Sequence, residues 1–126
     1  MDKVELQERM TAFAVRIVKM VDSMPSTVAG LAIARQIIRS GTSPSANYRA
    51  ACLAKSDKDC VNKMKMVEEE LDETCHWLEI IMRSEIMPIT RLQPLYQESK
   101  ELLSIIVRSI VTTKTRMKVD TDSRKL

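Results

Sequence analysis

The sequence predicts an all-α protein, an up-down-up-down antiparallel four-helix bundle, from its composition, its breaker residues and its apolar spacing. The 126 residues suit one domain, and 44% hydrophobic residues are enough to bury a core. Two glycines, four prolines and 3% aromatic residues are too few for the turns and strands of a β-sandwich. Apolar residues instead recur every three or four positions along four segments joined by short connections, the pattern of an antiparallel bundle.

The first predicted helix runs from about Lys3 to Ser23, and Pro25 ends it because the residue before a proline is pushed out of the α region. Its apolar residues are spaced alternately by four and three positions. They form one seam, which consists of Leu6, Met10, Phe13, Ile17, Met20 and Met24.

The second helix is predicted to begin near Ser26 or Thr27, either of which can cap it. Its apolar residues go most of the way round, which indicates burial on more than one side. The segment from Gly41 to Pro44 either breaks the helix or kinks one longer helix. We favour the kink, because a break leaves a short, weakly nucleated second half.

The third helix carries a capping-box-like pair, Ser56 and Asp59, and is expected to stop between Ser84 and Met87. Its seam is Cys60, Met64, Val67, Leu71, Thr74, Leu78 and Ile81. The fourth helix is predicted to begin at a box that spans residues 90–93, with Pro94 in its first turn. Its predicted inner face is Leu95, Leu102, Leu103, Ile106, Val107, Ile110 and Val111.

The polar residues after about Lys118 have no apolar seam. We therefore predict one four-helix domain over residues 1–118 and a disordered tail over residues 119–126. No run of about 18 apolar residues is long enough to span a membrane, and the charged start is unlike a signal peptide. The three cysteines, Cys52, Cys60 and Cys75, lie in apolar stretches and indicate reduced thiols, so we expect a cytoplasmic location.

Enzyme-like signals are sparse. Glu73 and His76 have the Glu-x-x-His spacing of di-iron bundles, but such a site needs two of these motifs and the chain has one histidine. A metal site shared between subunits is the alternative that this leaves. We reject it in favour of a solvated or interface histidine on an acidic helix. A buried, inert thiol is the better interpretation of each cysteine, since His76 is the only imidazole base. We therefore expect no enzyme activity, no cofactor and no metal.

The middle of the chain resembles a bacterial family, the four-helix-bundle proteins named after 23S rRNA intervening sequences. The resemblance covers roughly residues 13–111, and its most specific part is Ser40-Gly41-Thr42-Ser43 with Ala46-Asn47-Tyr48-Arg49. Further matching runs are Ala54 to Asp59, Asn62 to Lys65 and Glu69 to Glu79. The chain departs from the family pattern at Ala50, where a glutamate is usual, and at Cys60, where an aromatic residue is common.

The resemblance implies a bundle that assembles as a ring-like homopentamer and has no enzyme activity. Some members of the family are encoded inside rRNA genes, and a related group assists diversity-generating retroelements. Contact with nucleic acid is thus one expectation that the resemblance raises. The alternative is a structural or adaptor oligomer whose partner is a protein.

Two surfaces are candidates for these roles. Residues 23–65 carry seven basic and two acidic groups, whereas residues 66–101 carry three and nine. The predicted nucleic-acid surface is Arg35, Arg39, Arg49, Lys55, Lys58, Lys63 and Lys65. The competing interpretation is that these arginines pair with the acidic third helix inside the oligomer. The predicted oligomer interface is Met66, Trp77 and Ile80, which lie away from the seam of the third helix, with Ile33 and Ile37 of the second.

Overall fold

The computed structural model describes residues 1–125, and over that range the chain is all-α, with four helices and no strand. The helices are α1 (Lys3–Asp22), α2 (Val28–Cys52), α3 (Asp57–Arg83) and α4 (Ile89–Lys125). The first three lie within one or two residues of their predicted bounds. Apolar periodicity and proline positions therefore locate these helices well.

Capping side chains fix three of the helix starts. Asp2, Thr27 and Ser56 each accept a hydrogen bond from the backbone N–H three residues further on, at 2.8, 3.0 and 3.1 Å. Each cap satisfies one of the amides that a helix start leaves without a partner. The predicted caps at Thr27 and Ser56 are confirmed.

The α2 helix is continuous through Gly41 and Pro44, which confirms the single longer helix, and the kink within it stays a prediction. Proline has no N–H to donate to the carbonyl four residues earlier, and the loss of this hydrogen bond normally destabilises the interior of a helix. Here Pro44 is buried, and packing of α2 against α1 and α3 holds the helix together across it. Neighbouring hydroxyls also bond within the helix: Thr42 donates to the Ile38 carbonyl at 2.6 Å.

The α3 helix ends in two tightening hydrogen bonds, from Glu85 N to the Met82 carbonyl and from Ile86 N to the Ile81 carbonyl. This is the pattern of a Schellman motif, and it requires a left-handed residue, here Glu85 with φ of 55°. The motif ends α3, and a connection of five residues leads to α4, which packs against α3.

Two expectations for α4 are wrong. The helix begins at Ile89, before the predicted cap at Thr90, so that Pro94 lies in its second turn. It also continues past Lys118 to Lys125, where we expected a disordered tail. Residues 119–124 are exposed and make the last turns of a 37-residue helix, about 55 Å long. Leu126 lies outside the described residues, and the single-domain boundary at 118 stays a prediction.

The core forms from one stripe of each helix. The predicted seams of α1 and α3 are buried apart from Met24 and Cys60, which are half-buried. On α4 the prediction fails for Val107 and Val111, which are 39% and 59% exposed. On a helical wheel they lie about 100° and 140° from the buried stripe of α4, so they face solvent.

Helices that follow one another in sequence pack side by side. Gly41 of α2 faces Ile17 of α1, and a Cβ atom at Gly41 would lie only 2.8 Å from Ile17 Cγ2. The absence of a side chain at Gly41 thus lets α1 and α2 approach closely at this level. Contacts between α1 and α4 are fewer, and they include the ion pairs of Arg9 with Glu98 (2.6 Å) and Glu101 (2.9 Å).

A small buried polar layer crosses the core beside Gly41. The Thr74 and Ser40 hydroxyls are 3.0 Å apart, and Thr74 also donates to the Glu70 carbonyl at 2.8 Å. On the other side of α3, the Cys75 thiol donates to Ser99 Oγ at 3.1 Å. These groups connect α2, α3 and α4 by hydrogen bonds at one level of the core.

Candidate nucleic-acid interface and oligomer surface

The seven predicted basic residues lie along α2, the α2–α3 turn and the first turns of α3. Six are exposed and Lys63 is half-buried. Continuity of α2 places Arg35, Arg39 and Arg49 within about 80° of one another on a helical wheel, on one side of that helix. The three arginines therefore lie on the same side of α2, as the prediction of a basic surface requires.

Arg39, however, is already paired within the chain. Its guanidinium contacts Glu70 at 3.0 Å and Glu73 at 2.5 Å, both on α3. The hydrogen bond to Glu70 and the charges of both carboxylates raise the pKa of Arg39. The competing interpretation, in which an arginine pairs with the acidic helix, therefore applies to Arg39 inside one chain without any second subunit.

Five of the other six predicted basic residues lie toward one end of the protein. We call Arg49, Lys55, Lys58, Lys63 and Lys65 the turn-end cluster, because all lie within about two turns of the α2–α3 connection. Within residues 1–125 none of the five forms an ion pair. Of the two acidic residues among them, Asp57 is engaged by Arg116 at 2.7 Å. The turn-end cluster is thus a region of uncompensated positive charge.

Four of the five residues predicted for the oligomer surface are at least partly exposed, and the fifth is buried. Met66 is 45% exposed, and Trp77, Ile80 and Ile33 are half-buried. Ile37 was wrongly predicted for this surface, because its side chain is completely buried in the core. The broad apolar character of α2 misled the prediction, since it does not distinguish which side the neighbouring helices cover.

Trp77 is part of the same contact network as Arg39. Its indole Nε1 donates to Glu73 Oε2 at 3.3 Å, and that oxygen also accepts from Arg39. The imidazole of His76 meets the indole edge-on, with ring centroids 5.0 Å apart. The network orients a large half-buried aromatic ring on the outer side of α3, the side that Met66 also occupies three turns earlier.

The described residues contain no cluster of candidate metal ligands. His76 is exposed, and no group of three or more His, Cys, Asp or Glu side chains converges within residues 1–125. Burial raises the pKa of the Cys75 and Cys60 thiols, which leaves them mostly protonated and weakly nucleophilic at neutral pH. Over the same residues, no helix has the length and apolarity needed to cross a bilayer.

Sequence reasoning missed two features of the structure. One is the pairing of Arg9 with two α4 carboxylates, which raises the pKa of Arg9 through hydrogen bonds with Glu98 and Glu101. The other is a groove at the end of the protein where α1 begins. The signal for the first was a lone arginine on the half-polar side of α1, which is too common to predict a partner.

These observations define a small all-α protein of four helices with an exposed basic region around the α2–α3 turn and partly exposed apolar residues on the outer side of α3. Residues 2–108 match the family model of the 23S rRNA-intervening sequence protein. The chain therefore belongs to the family of 23S rRNA-intervening sequence proteins, and the resemblance noted in the sequence is confirmed.

A solved structure supports the same assignment. The chain is similar to the crystal structure of a protein of unknown function from the S23 ribosomal protein family of Bacteroides thetaiotaomicron. The two are 31% identical, the match covers 87% of this chain and 98% of that one, and the TM-score is 0.81. No curated protein sequence matches the chain.

Proposed function

We propose that this protein is a non-enzymatic, cytoplasmic, oligomeric up-down-up-down bundle that binds nucleic acid through the turn-end cluster. The observation that carries the proposal is the uncompensated charge of that cluster: five cations without ion-pair partners among the described residues. Arg39 is excluded from the binding surface, because Glu70 and Glu73 already neutralise it. Arg35 is exposed and adds to the surface at its far side.

Lysine and arginine side chains free of carboxylates favour phosphate binding without base specificity. Each phosphate contact releases a counterion, so the affinity falls steeply with salt. Aromatic platforms for base stacking are scarce, since Tyr48 is buried and Trp77 is half-covered. We therefore expect binding to follow backbone charge and the shape of the nucleic acid. In an oligomer the cluster repeats, and several weak contacts combine into useful avidity.

Charge reversal at the cluster tests this proposal. Wild-type protein should shift both duplex DNA and structured RNA in a gel at about 50 mM salt and release them by about 200 mM. Replacement of Arg49→Glu together with Lys58→Glu should weaken binding by about tenfold or more at the lower salt, because two phosphate contacts become repulsive.

The matched control is Arg16→Glu with Lys19→Glu. It makes the same change in net charge in the last two turns of α1, away from the turn-end cluster. Both control residues are exposed and make no ion pair in the described part of the chain. Equal loss of binding in the two double variants would show that only net charge matters. Failure of the wild type to bind at about 50 mM salt would reject nucleic acid as the partner.

The oligomer is the second part of the proposal. Met66, Trp77 and Ile80 lie within about 60° of one another on one side of α3, and with Ile33 of α2 they form a partly exposed apolar strip. The strip is interrupted between Met66 and Trp77 by Glu70 and Glu73, which pair with Arg39. Such strips usually mark interfaces between proteins, and tryptophan is enriched there. We propose that a second copy covers this strip and that five copies close into a ring, as the family resemblance implies.

Light scattering coupled to size exclusion should give a mass near five times the 14.4 kDa of the chain. Met66→Glu should shift the protein toward monomer, because a carboxylate buried in an apolar contact costs several kcal/mol. Leu53→Glu is the matched control, since Leu53 is 83% exposed in the α2–α3 turn and should leave the mass unchanged. A wild-type protein that is monomeric at every concentration would contradict the proposed interface.

An adaptor that binds a protein is the second candidate function. The observation in its favour is the set of exposed apolar residues on α1 and α2: Val15 at 47%, Leu31 at 48% and Val28 at 91%. If an intact oligomer binds no nucleic acid in the gel-shift series, this candidate replaces the first.

A further inference from the structure

A groove of about 430 Å³ opens where α1 begins and α2 ends, and neither proposed surface uses it. All four helices contribute to its lining, which includes none of the turn-end cluster. Its volume falls in the range of small-molecule sites, roughly 300–1,000 Å³. The groove is therefore large enough for a ligand of its own.

The inner wall of the groove is apolar. Leu6, Tyr48 and Met64 line it with side chains that are at most 6% exposed, and Ala51 and Ile105 complete it. Burial, with a smaller effect of the neighbouring Cys52 thiol, raises the pKa of Tyr48, so the phenol stays neutral at physiological pH. A hydrocarbon chain that lies against this wall would leave water without displacing any charged group.

The mouth of the groove is cationic. Lys3, Arg108 and Arg116 line it, against one carboxylate, that of Asp2. The Asp2 side chain caps α1 by accepting from Glu5 N at 2.8 Å, and Arg116 pairs with Asp57. Lys3 and Arg108 make no ion pair within residues 1–125, which leaves two cations above an apolar wall.

Two hydroxyl groups in the lining of the groove, those of Ser109 and Thr113, are not available to donate a hydrogen bond to an anionic head group. Ser109 donates its proton to the Ile105 carbonyl and Thr113 donates to the Ser109 carbonyl, both at 2.9 Å. Their oxygens are left as acceptors only, which repel an anion. Within residues 1–125, the unpaired cationic side chains that line the groove are Lys3 and Arg108, and the Thr112 hydroxyl is a further, neutral donor.

We propose that this groove binds a free anionic amphiphile of the medium-chain fatty acid class. The carboxylate head lies between Lys3 and Arg108, and the hydrocarbon chain packs on Leu6, Tyr48 and Met64. An anion with an apolar tail matches both the charge of the mouth and the apolarity of the wall. A neutral hydrocarbon would forgo the two cations, and a cationic amphiphile would meet repulsion.

Calorimetric titration of the full chain with monomeric dodecanoate, below its micelle concentration, tests the proposal. Binding should saturate at one ligand per chain, whereas dodecyltrimethylammonium, with the same tail and the opposite charge, should bind at least about tenfold more weakly. Equal binding of the two amphiphiles, or none of either, would overturn the proposal. Binding to phosphatidylglycerol vesicles without binding to monomeric dodecanoate would also overturn it, in favour of a membrane surface.

Two variants locate the site. Arg108→Glu should weaken dodecanoate binding about tenfold or more, because one attractive contact becomes repulsive. Lys114→Glu makes nearly the same charge change on the same helix outside the groove, and should change the affinity by no more than about twofold. Equal loss in the two variants would contradict a head-group site at Arg108.

Thiol labelling gives an independent readout. Cys52 and Cys60 line the groove, whereas Cys75 is buried beside Ser99. Saturating dodecanoate should slow the alkylation of Cys52 and Cys60 several-fold and leave the rate at Cys75 unchanged. Unchanged rates at both groove cysteines would place the ligand elsewhere and reject the groove as its site.

Discussion

Gly41→Val should lower the free energy of unfolding by about 2–3 kcal/mol, because the new side chain must enter space that Ile17 fills. A Cβ atom at position 41 would already lie 2.8–3.2 Å from three carbon atoms of Ile17. Ile17 is completely buried and cannot move aside without disturbing the core between α1 and α2. The urea midpoint, measured at fixed protein concentration, should fall by about 1 M or more.

Ala46→Val is the matched control on the same helix, since Ala46 is exposed and valine there should cost less than about 1 kcal/mol. A second control uses the Ile17→Ala background. Removal of the opposing side chain opens space, so most of the cost of Gly41→Val should disappear in the double variant. Additive costs of the two substitutions would show that the α1–α2 contact does not limit position 41.

Leu71→Ala should cost about 3–5 kcal/mol of stability, the range seen when a fully enclosed leucine leaves a cavity. Leu71 has no exposed surface, and its backbone carbonyl accepts from Ser99 Oγ at 3.3 Å, within the buried polar layer. Close packing by three helices limits collapse around the missing side chain, so the cost should lie at the upper end of the usual range. Thermal and urea unfolding, followed by circular dichroism at 222 nm as a helix signal, should both report the loss.

The comparison variant is Leu53→Ala, which removes the same atoms from a side chain that is 83% exposed. It should change stability by no more than about 0.5 kcal/mol. Similar losses in the two leucine variants would mean that Leu71 is not enclosed as the structure has it.

The helices were predictable because each carries strong local signals. Seams such as Leu6 to Met20 on α1 determine which face is buried, and a side-chain cap or a proline marks most of the ends. The end of α4 was missed, because residues 119–125 have no apolar seam to indicate a helix. Extension of a helix that is already formed needs no new nucleus, so residues with only moderate helix propensity can continue it. Such propensity is a weak signal in the sequence.

The surface features were harder to predict, because they depend on which helix lies next to which. Periodicity alone gave Ile37 and Val111 plausible roles on the wrong sides of their helices. The neutralisation of Arg39 by Glu70 and Glu73 joins residues more than thirty positions apart, and their charges alone did not decide between pairing and phosphate binding. The groove at Lys3 and Arg108 joins segments from both ends of the chain, which no local pattern reveals.

The buried polar layer also determines the axial register of three helices. Hydrophobic stripes tolerate a slide of one helix past another, since leucine packs acceptably against leucine one turn away. A one-turn slide of α3 moves its side chains by about 5.4 Å, which would separate Thr74 from Ser40 and Cys75 from Ser99. The Ser40 hydroxyl would then lie inside the core without its interhelical partner. These interhelical hydrogen bonds therefore favour one axial register of the helices over other registers that would bury a similar apolar area. The residues that form them are Ser40, Thr74, Cys75 and Ser99.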